Sequence, residues 1–185
     1  MSRIRPAKKS ELTDDLKIVM DQSMDLMGFI PNDALIMAKH PELLHSVNHL
    51  IKTIYSFDSI SEETRSMVGL MASQASGCNY CIAHTSNSAL EKNIPAEKLK
   101  NIWGFEDSDY FSRSEKAALR IALNAAQTPN LISDEDYNDF KNYYDENQQI
   151  EILAIISLFG FLNRWNSSLM TEIETMPSSR MKELE

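Results

Sequence analysis

Apolar residues recur at intervals of three and four positions along most of the chain, which is the spacing of one face of an α-helix. The segment "ELLHSVNHLIKTIYSF" places Leu43, Val47, Leu50, Ile51 and Ile54 on one face, and "EKAALRIALNAA" repeats the pattern. The segment "IEILAIISLFGFLNRW" is apolar nearly all round, as expected of a buried helix. We find no clear alternation of apolar and polar residues of the kind that predicts a strand. The pattern therefore predicts an all-α fold.

Residues that favour helix starts precede several of these segments. Ser61 comes before Glu62 and Glu63, as an N-cap followed by acidic residues in the first turn, and Ser133 precedes another acidic run. Pro95 suits the first turn of a helix. The predicted helices cover residues 11–27, 32–38, 41–56, 61–75, 78–92, 95–103, 112–127, 133–144 and 147–172.

A single domain of residues 1–185 is the expected organisation, because a chain of this length can bury one sizeable core. Its cysteine-containing half covers about residues 25–103, and its C-terminal helices cover about residues 112–175. Two segments lack the helical pattern, "MGFIPND" and "GFEDSDYFSRS", and are predicted loops.

The charge of the chain excludes some partners. It has 18 Lys and Arg against 27 Asp and Glu, a net charge of −9, which argues against nucleic acid or an anionic membrane surface as the main partner. No apolar run reaches the length of about 18 residues that a membrane span needs. The basic start "MSRIRPAKKSELTDDLK" is not followed by the apolar stretch of a secretory signal. We therefore expect a cytoplasmic protein, with its two cysteines in a reducing compartment.

Both cysteines lie in "SGCNYCIAHTS", residues 76–86. Gly77 is expected to close one helix in a left-handed conformation, so that Cys78 begins the next helix, where the helix dipole favours a thiolate. Cys81 follows at i+3, where the two Cβ atoms would lie about 5–6 Å apart, close enough for a disulfide to form with a small adjustment. His84 is a further three positions on and faces Cys81, so it can take the proton of that thiol.

Other interpretations of these residues are weaker but open. A closed zinc site needs four ligands, and this segment offers three at most. Attachment of a c-type haem needs a histidine directly after the second cysteine, where this chain has Ile82. The two thiols could also pack as small apolar side chains. His45 and His49 have the i, i+4 spacing of metal ligands on one helix, but no third ligand is in view. We favour a redox-active dithiol and expect no bound metal.

The segment "ASGCNYCIAHTSNSAL" resembles the active-site stretch of alkylhydroperoxidase D-like (AhpD-like) proteins in the carboxymuconolactone decarboxylase family. The wider frame is similar to the peroxidase-related branch of that family, through "MAKHPELL", "FSRSEKAALRIA" and "LFGFLNRWNSSLMTEIE". The resemblance covers about residues 25–175. It implies an all-helical fold with the CxxC pair at the start of a central helix, and assembly as a homo-oligomer, a trimer or a hexamer.

The resemblance also implies roles for single residues. Cys81 matches the cysteine that attacks the peroxide, Cys78 matches the one that resolves it, and His84 matches the histidine that relays protons. In some relatives that histidine lies one residue further on, where this chain has Thr85.

One position departs from the family pattern. Where the family commonly has a glutamate twelve residues before the first cysteine, this chain has Ser66, which cannot carry a charge opposite an imidazolium. Glu62 and Glu63 lie one helical turn earlier on the same face, so either could replace it, although we favour the interpretation that both only cap the helix and face water. His49 is a further candidate for the lining of the site cleft.

The sequence as a whole predicts a thiol-dependent hydroperoxide reductase in antioxidant defence. It would bind no cofactor and would need an external dithiol, or a thiol protein, as electron donor. The main alternative is a disulfide-exchange or redox-sensing protein with little peroxidase turnover. A decarboxylase, whose chemistry in this fold does not rely on a CxxC pair, and a catalytically silent scaffold are less favoured.

Overall fold

A computed structural model of the chain describes residues 1–182 and Leu184, and in this part of the chain it is all-α with no strand. The α-helices are α1 Asp14–Met27, α2 Asn32–Met37, α3 Pro41–Tyr55, α4 Glu62–Ala75, α5 Asn79–Glu91, α6 Ala96–Lys100, α7 Arg113–Ala125, α8 Asp134–Lys141, α9 Glu146–Leu169 and α10 Thr175–Met181. Short 3-10 segments cover Lys9–Glu11 and Ile102–Asp107. The all-α prediction is confirmed.

Most predicted helices are found within a few residues of their expected bounds, and the differences have local causes. The predicted helix 147–172 ends at Leu169, because Met170 adopts a left-handed conformation with φ of 50°. The Thr171 amide donates to the Asn166 carbonyl at 3.1 Å and closes the end of the helix. The chain then turns back and forms α10, a helix that the apolar pattern did not predict.

The connection from α4 to α5 is one tight turn centred on Gly77. Gly77 has φ of 63°, as predicted, and its amide donates to the Gln74 carbonyl at 3.0 Å. The amide of Cys78 donates to the Ser73 carbonyl at 3.2 Å, which completes a Schellman motif. Cys78 therefore ends the cap of one helix and is itself the N-cap of the next. Neither helix can change its end without moving this thiol.

The main core lies between α4, α5, α7 and α9. The apolar side of α9 is covered within one copy of the chain, with Ile152 and Ile155 fully buried, while Ile150 and Phe161 stay exposed. A smaller apolar cluster joins α1 to α2 and α3. No helix in the described part of the chain has both the length and the apolar character needed to cross a membrane.

Two helical glycines have opposite surroundings. A Cβ on Gly69 of α4 would lie 2.7 Å from Cε2 of Phe159 in α9, so this glycine sets how closely the two helices approach. A Cβ on Gly160 of α9 would meet no atom within 4 Å.

We predict that Gly69→Ala destabilises the protein by about 1–3 kcal/mol, because the added methyl group overpacks the contact with Phe159. Gly160→Ala is the matched control and should be neutral or stabilising by up to about 1 kcal/mol, because alanine is the better helix former. Urea unfolding of both variants measures the difference. Equal stability of the two would show that the α4–α9 contact yields without cost.

Candidate functional site

The two thiols face each other at the start of α5. Cys78 is the N-cap, and its Sγ accepts a hydrogen bond from the amide of Cys81 at 3.3 Å. The two Sγ atoms lie 2.9 Å apart and are not bonded covalently. Both side chains are buried, with 1% of Cys78 and 3% of Cys81 exposed. This is a reduced dithiol that is already in contact and is shielded from solvent.

The surroundings of the pair favour the loss of one proton and oppose the loss of a second. The hydrogen bond from the Cys81 thiol, supported by the Cys81 amide, lowers the pKa of Cys78 to about 6 although burial opposes this. The pKa of Cys81 is raised, because its thiol donates to Cys78 and because it is buried. The pair is therefore a monoanion at neutral pH, with one proton between two sulfurs 2.9 Å apart.

A polar group from α9 reaches the second thiol. Nδ2 of Asn166 lies 3.6 Å from Sγ of Cys81 and 3.2 Å from Oδ2 of Asp33, so one amide nitrogen touches both. Oδ1 of Asn166 is buried and has no hydrogen-bond partner among the described residues. Asp33, in the first turn of α2, is held through Oδ1 by the Ala34 amide at 2.7 Å. The thiol pair thus has a carboxylate beside it that no sequence motif indicated.

His84 is paired with a carboxylate from the C-terminal segment. Its Nε2 lies 2.6 Å from Oε2 of Glu174, just before α10, and both side chains are largely buried. Oε1 of Glu174 accepts from the Asn32 amide at 2.5 Å. Burial works against ionisation of Glu174, but the contacts with His84 and with the Asn32 amide outweigh it and lower the pKa of this carboxyl.

Tyr80 connects the two carboxylates. Its ring stacks on that of His84 with centroids 4.1 Å apart. Its hydroxyl lies 2.9 Å from Oε1 of Glu174 and 3.2 Å from Oδ1 of Asp33. Burial, together with the charges of Asp33 and Glu174, raises the pKa of Tyr80, so the phenol keeps its proton. Asp33, Tyr80, Glu174 and His84 therefore form one continuous polar chain beside the thiols.

The structure brings Cys78 and Cys81 into contact, but the described hydrogen bond of His84 goes to Glu174 and not to Cys81, the partner that the sequence suggested. Among the acidic candidates, Glu62 pairs with Lys92 at 3.0 Å and Glu63 pairs with Lys98 at 2.7 Å. Neither has a described contact with His84.

The other candidates also point elsewhere. Ser66 Oγ lies 3.5 Å from Nζ of Lys92, and His49 is exposed on α3. The second histidine of that helix, His45, pairs with Asp15 at 2.8 Å. Within the described residues, no group of three or more His, Cys, Asp or Glu is arranged to hold a metal ion.

Sequence reasoning did not identify Asp33, Tyr80, Asn166 or Glu174 as site residues. Tyr80 lies inside the "CNYC" motif, which is the one signal that could have drawn attention to it. Glu174 lies 90 positions after His84, and Asn166 lies 133 positions after Asp33. No local spacing connects such residues, so only the fold shows that they are neighbours.

Comparison with known proteins gives consistent results. The profile of the carboxymuconolactone decarboxylase family matches residues 41–124. The crystal structure of the debrominase Bmp8 (apo) superposes with a TM-score of 0.90 at 33% identity, covering 98% of this chain and 97% of Bmp8. A second structure, of a cysteine-to-alanine variant of Bmp8 in complex with 2,3,4-tribromopyrrole, has a TM-score of 0.91 at 32% identity over the same shares of the two chains.

More distant matches agree on the fold. The alkylhydroperoxidase AhpD core of Ralstonia eutropha JMP134, an uncharacterized peroxidase-related protein, has a TM-score of 0.85 at 18% identity and covers 95% of this chain and 94% of its own. The uncharacterized protein YdfG of Bacillus subtilis (strain 168) is 28% identical over 109 residues, which are 58% of this chain and 72% of YdfG.

We predict that the pKa values of the two thiols differ widely. In Cys81→Ser a hydroxyl can still donate to Cys78, so the remaining thiol should ionise well below the free-thiol pKa of about 8.5, near the value of about 6 in the native pair. In Cys78→Ala the buried Cys81 loses this neighbour and keeps only the long contact with Asn166 as a side-chain donor, so its pKa should lie above about 8.5. Ultraviolet absorbance of the thiolate across pH measures both. A lower pKa for Cys81 than for Cys78 would contradict the assignment.

We predict that Glu174→Gln costs about 1–3 kcal/mol of stability at neutral pH, because hydrogen bonds to a buried charge are lost. Folding lowers the pKa of Glu174 from 4.5, so its contribution is complete above that pH and disappears as the pH falls below it. Denaturant unfolding across pH should show that the difference in the free energy of unfolding between wild type and Glu174→Gln becomes smaller as the pH falls.

The control for this experiment is Glu62→Gln, at an exposed ion pair, which should change stability by less than about 0.5 kcal/mol at every pH. If the difference in the free energy of unfolding between wild type and Glu174→Gln stays the same at acid pH, the charge of Glu174 is not what stabilises the contact.

Proposed function

The chain belongs to the carboxymuconolactone decarboxylase family and has the AhpD-like helical fold, and from this we propose that it is a thiol-dependent hydroperoxide reductase. The observation that carries the proposal is the Cys78–Cys81 pair, two reduced sulfurs 2.9 Å apart with one stabilised negative charge between them. Such a pair can supply two electrons and close a disulfide with little movement.

In the proposed cycle the Cys81 sulfur attacks the outer oxygen of the peroxide, while its proton passes to Cys78 across the hydrogen bond between them. The O–O bond breaks, Cys81 becomes a sulfenic acid, and the inner oxygen leaves as an alcohol once it receives a proton. Cys78 then attacks the Cys81 sulfur and releases water, which leaves a Cys78–Cys81 disulfide. The two thiols have lost two electrons and the peroxide has gained them.

An external dithiol completes the cycle by attacking the disulfide through a mixed disulfide. We place that attack on Cys78, the N-cap of α5, and because only 1% of its side chain is exposed the attack requires a local opening of the site. The cycle needs no bound cofactor. We also propose that the protein works as a homo-oligomer in the cytoplasm, and light scattering at micromolar concentration measures the assembly directly.

A second candidate is the reductive removal of bromine from a bromopyrrole. The observation that favours it is the likeness to the debrominase Bmp8, at 33% identity over nearly the full length of both chains. The electron count is the same: the carbon–bromine bond is replaced by a carbon–hydrogen bond, bromide leaves, and the two thiols become a disulfide. The same buried dithiol would serve either substrate.

The test is to mix reduced protein with tert-butyl hydroperoxide or with 2,3,4-tribromopyrrole, using a dithiol as electron donor. We expect peroxide consumption together with loss of both thiols, and no activity in Cys78→Ser or Cys81→Ser, because neither variant can form the disulfide. Bromide release without peroxide consumption would favour the second candidate. Thiols that stay intact with both substrates would refute the proposed reductase, whereas disulfide formation without turnover would indicate a redox sensor or disulfide-exchange protein.

A further inference from the structure

Asp33 occupies a position that is unfavourable for the resting dithiol. Its negative charge raises the pKa of both Cys78 and Cys81, against the contacts that stabilise the thiolate. Nevertheless it is held firmly, by the Ala34 amide on Oδ1 and by Asn166 on Oδ2. A carboxylate that opposes thiolate formation and is nevertheless held beside the thiols is a candidate for a role at another step of the reaction.

The bridging amide of Asn166 defines where that step takes place. Its Nδ2 touches Sγ of Cys81 at 3.6 Å and Oδ2 of Asp33 at 3.2 Å. The carboxylate and the sulfur therefore contact the same nitrogen, and a peroxide that takes the place of this nitrogen beside Cys81 would also contact Asp33. The described hydrogen bond of His84, by contrast, goes to Glu174 and not to either thiol.

Asp33 also has a route by which a proton can be replaced. Tyr80 has one hydroxyl proton and two carboxylate neighbours, Glu174 at 2.9 Å and Asp33 at 3.2 Å, so it can donate to only one of them at a time. When it donates to Asp33, it can accept a proton from the Glu174 side. His84 contacts Glu174 and keeps 14% of its side chain exposed, which gives the chain an end at the solvent.

We propose that Asp33 is the catalytic general acid, which protonates the leaving oxygen of the hydroperoxide, and that Tyr80, Glu174 and His84 return the proton from solvent. This proposal rests on the hydroperoxide reduction proposed above. Before the step, the Asp33 carboxylate takes a proton from the Tyr80 hydroxyl, which takes one from the Glu174 side in turn. Once its own proton has passed to Cys78, the Cys81 sulfur forms a bond to the outer oxygen, the O–O bond breaks, and the Asp33 carboxyl gives its proton to the inner oxygen. The products are Cys81 sulfenic acid, an alcohol and the Asp33 carboxylate, which is then reprotonated through Tyr80.

The leaving group provides a sharp test. An alkyl hydroperoxide must expel an alkoxide, a strong base that needs a proton, whereas a peracid expels a carboxylate, a weak base that does not. Asp33→Asn should therefore slow the reaction of the reduced protein with tert-butyl hydroperoxide about 100-fold, the lower end of what general acid catalysis contributes. Its reaction with peracetic acid should slow less than about tenfold. Single-turnover loss of thiols, followed by rapid mixing, measures both rates.

A second readout separates the chemical role from a structural one. Removal of the Asp33 charge should lower the pKa of Cys78, measured by thiolate absorbance, so the variant should ionise more readily while it reduces tert-butyl hydroperoxide more slowly. Tyr80→Phe keeps the ring that stacks on His84 but removes the hydroxyl that passes a proton to Asp33, so it should slow the first turnover with tert-butyl hydroperoxide as well. Asp25→Asn, the same change at an exposed position of α1, should behave as wild type in every assay.

The outcomes distinguish the two proposals. A wild type that oxidises with neither peroxide refutes the reductase function, and the role of Asp33 with it. A wild type that reacts with both, and an Asp33→Asn variant that loses the same factor with each, refutes Asp33 as the general acid but leaves the reductase intact. A raised Cys78 pKa in Asp33→Asn would show that the substitution damages the thiol pair, and would also refute the proposal.

Discussion

The contact between two sulfurs at the end of a helix is the constraint around which the rest of the site is arranged. Cys78 accepts the amide of Cys81 as an N-cap, and the thiol of Cys81 lies 2.9 Å away and stabilises the Cys78 thiolate, so two donors converge on this sulfur when it is ionised. Both donors stabilise the same negative charge, which explains how a nearly fully buried thiol keeps a pKa of about 6. The Schellman turn at Gly77 fixes this sulfur from the other side, through the end of α4.

Burial makes this arrangement demanding, because each polar group near the thiols needs a partner inside the protein. The partners come from segments that are far apart in the chain: Asp33 from α2, Asn166 from α9 and Glu174 from the segment before α10. The position of α9 depends in turn on the close approach of Phe159 to Gly69. The geometry of the site thus depends on the packing of the core. A methyl group added at Gly69 would affect both.

The carboxylate that faces His84 comes from a different part of the chain than the family resemblance implies. The family resemblance implies a glutamate at position 66, on the helix before the cysteines, where this chain has Ser66 beside Lys92. The pairing of His84 with Glu174 supplies a carboxylate from the C-terminal segment instead. The left-handed turn at Met170 makes this possible, because it ends α9 early and directs the chain back toward α5.

The sequence by itself determined what depends on neighbouring residues. Apolar periodicity indicated the all-α class and nearly every helix, and the "SGCNYC" segment indicated the left-handed Gly77 and a thiol at a helix start, because a turn and a cap are set within a few residues. The tertiary structure alone decided that Glu174 rather than Glu62 or Glu63 faces His84, and that Asp33 and Asn166 lie beside Cys81. These contacts join residues that are 85 to 133 positions apart, and no local spacing encodes them. They arise only when α9 and the C-terminal segment pack against α5, since it is this packing that brings the distant side chains within hydrogen-bond distance.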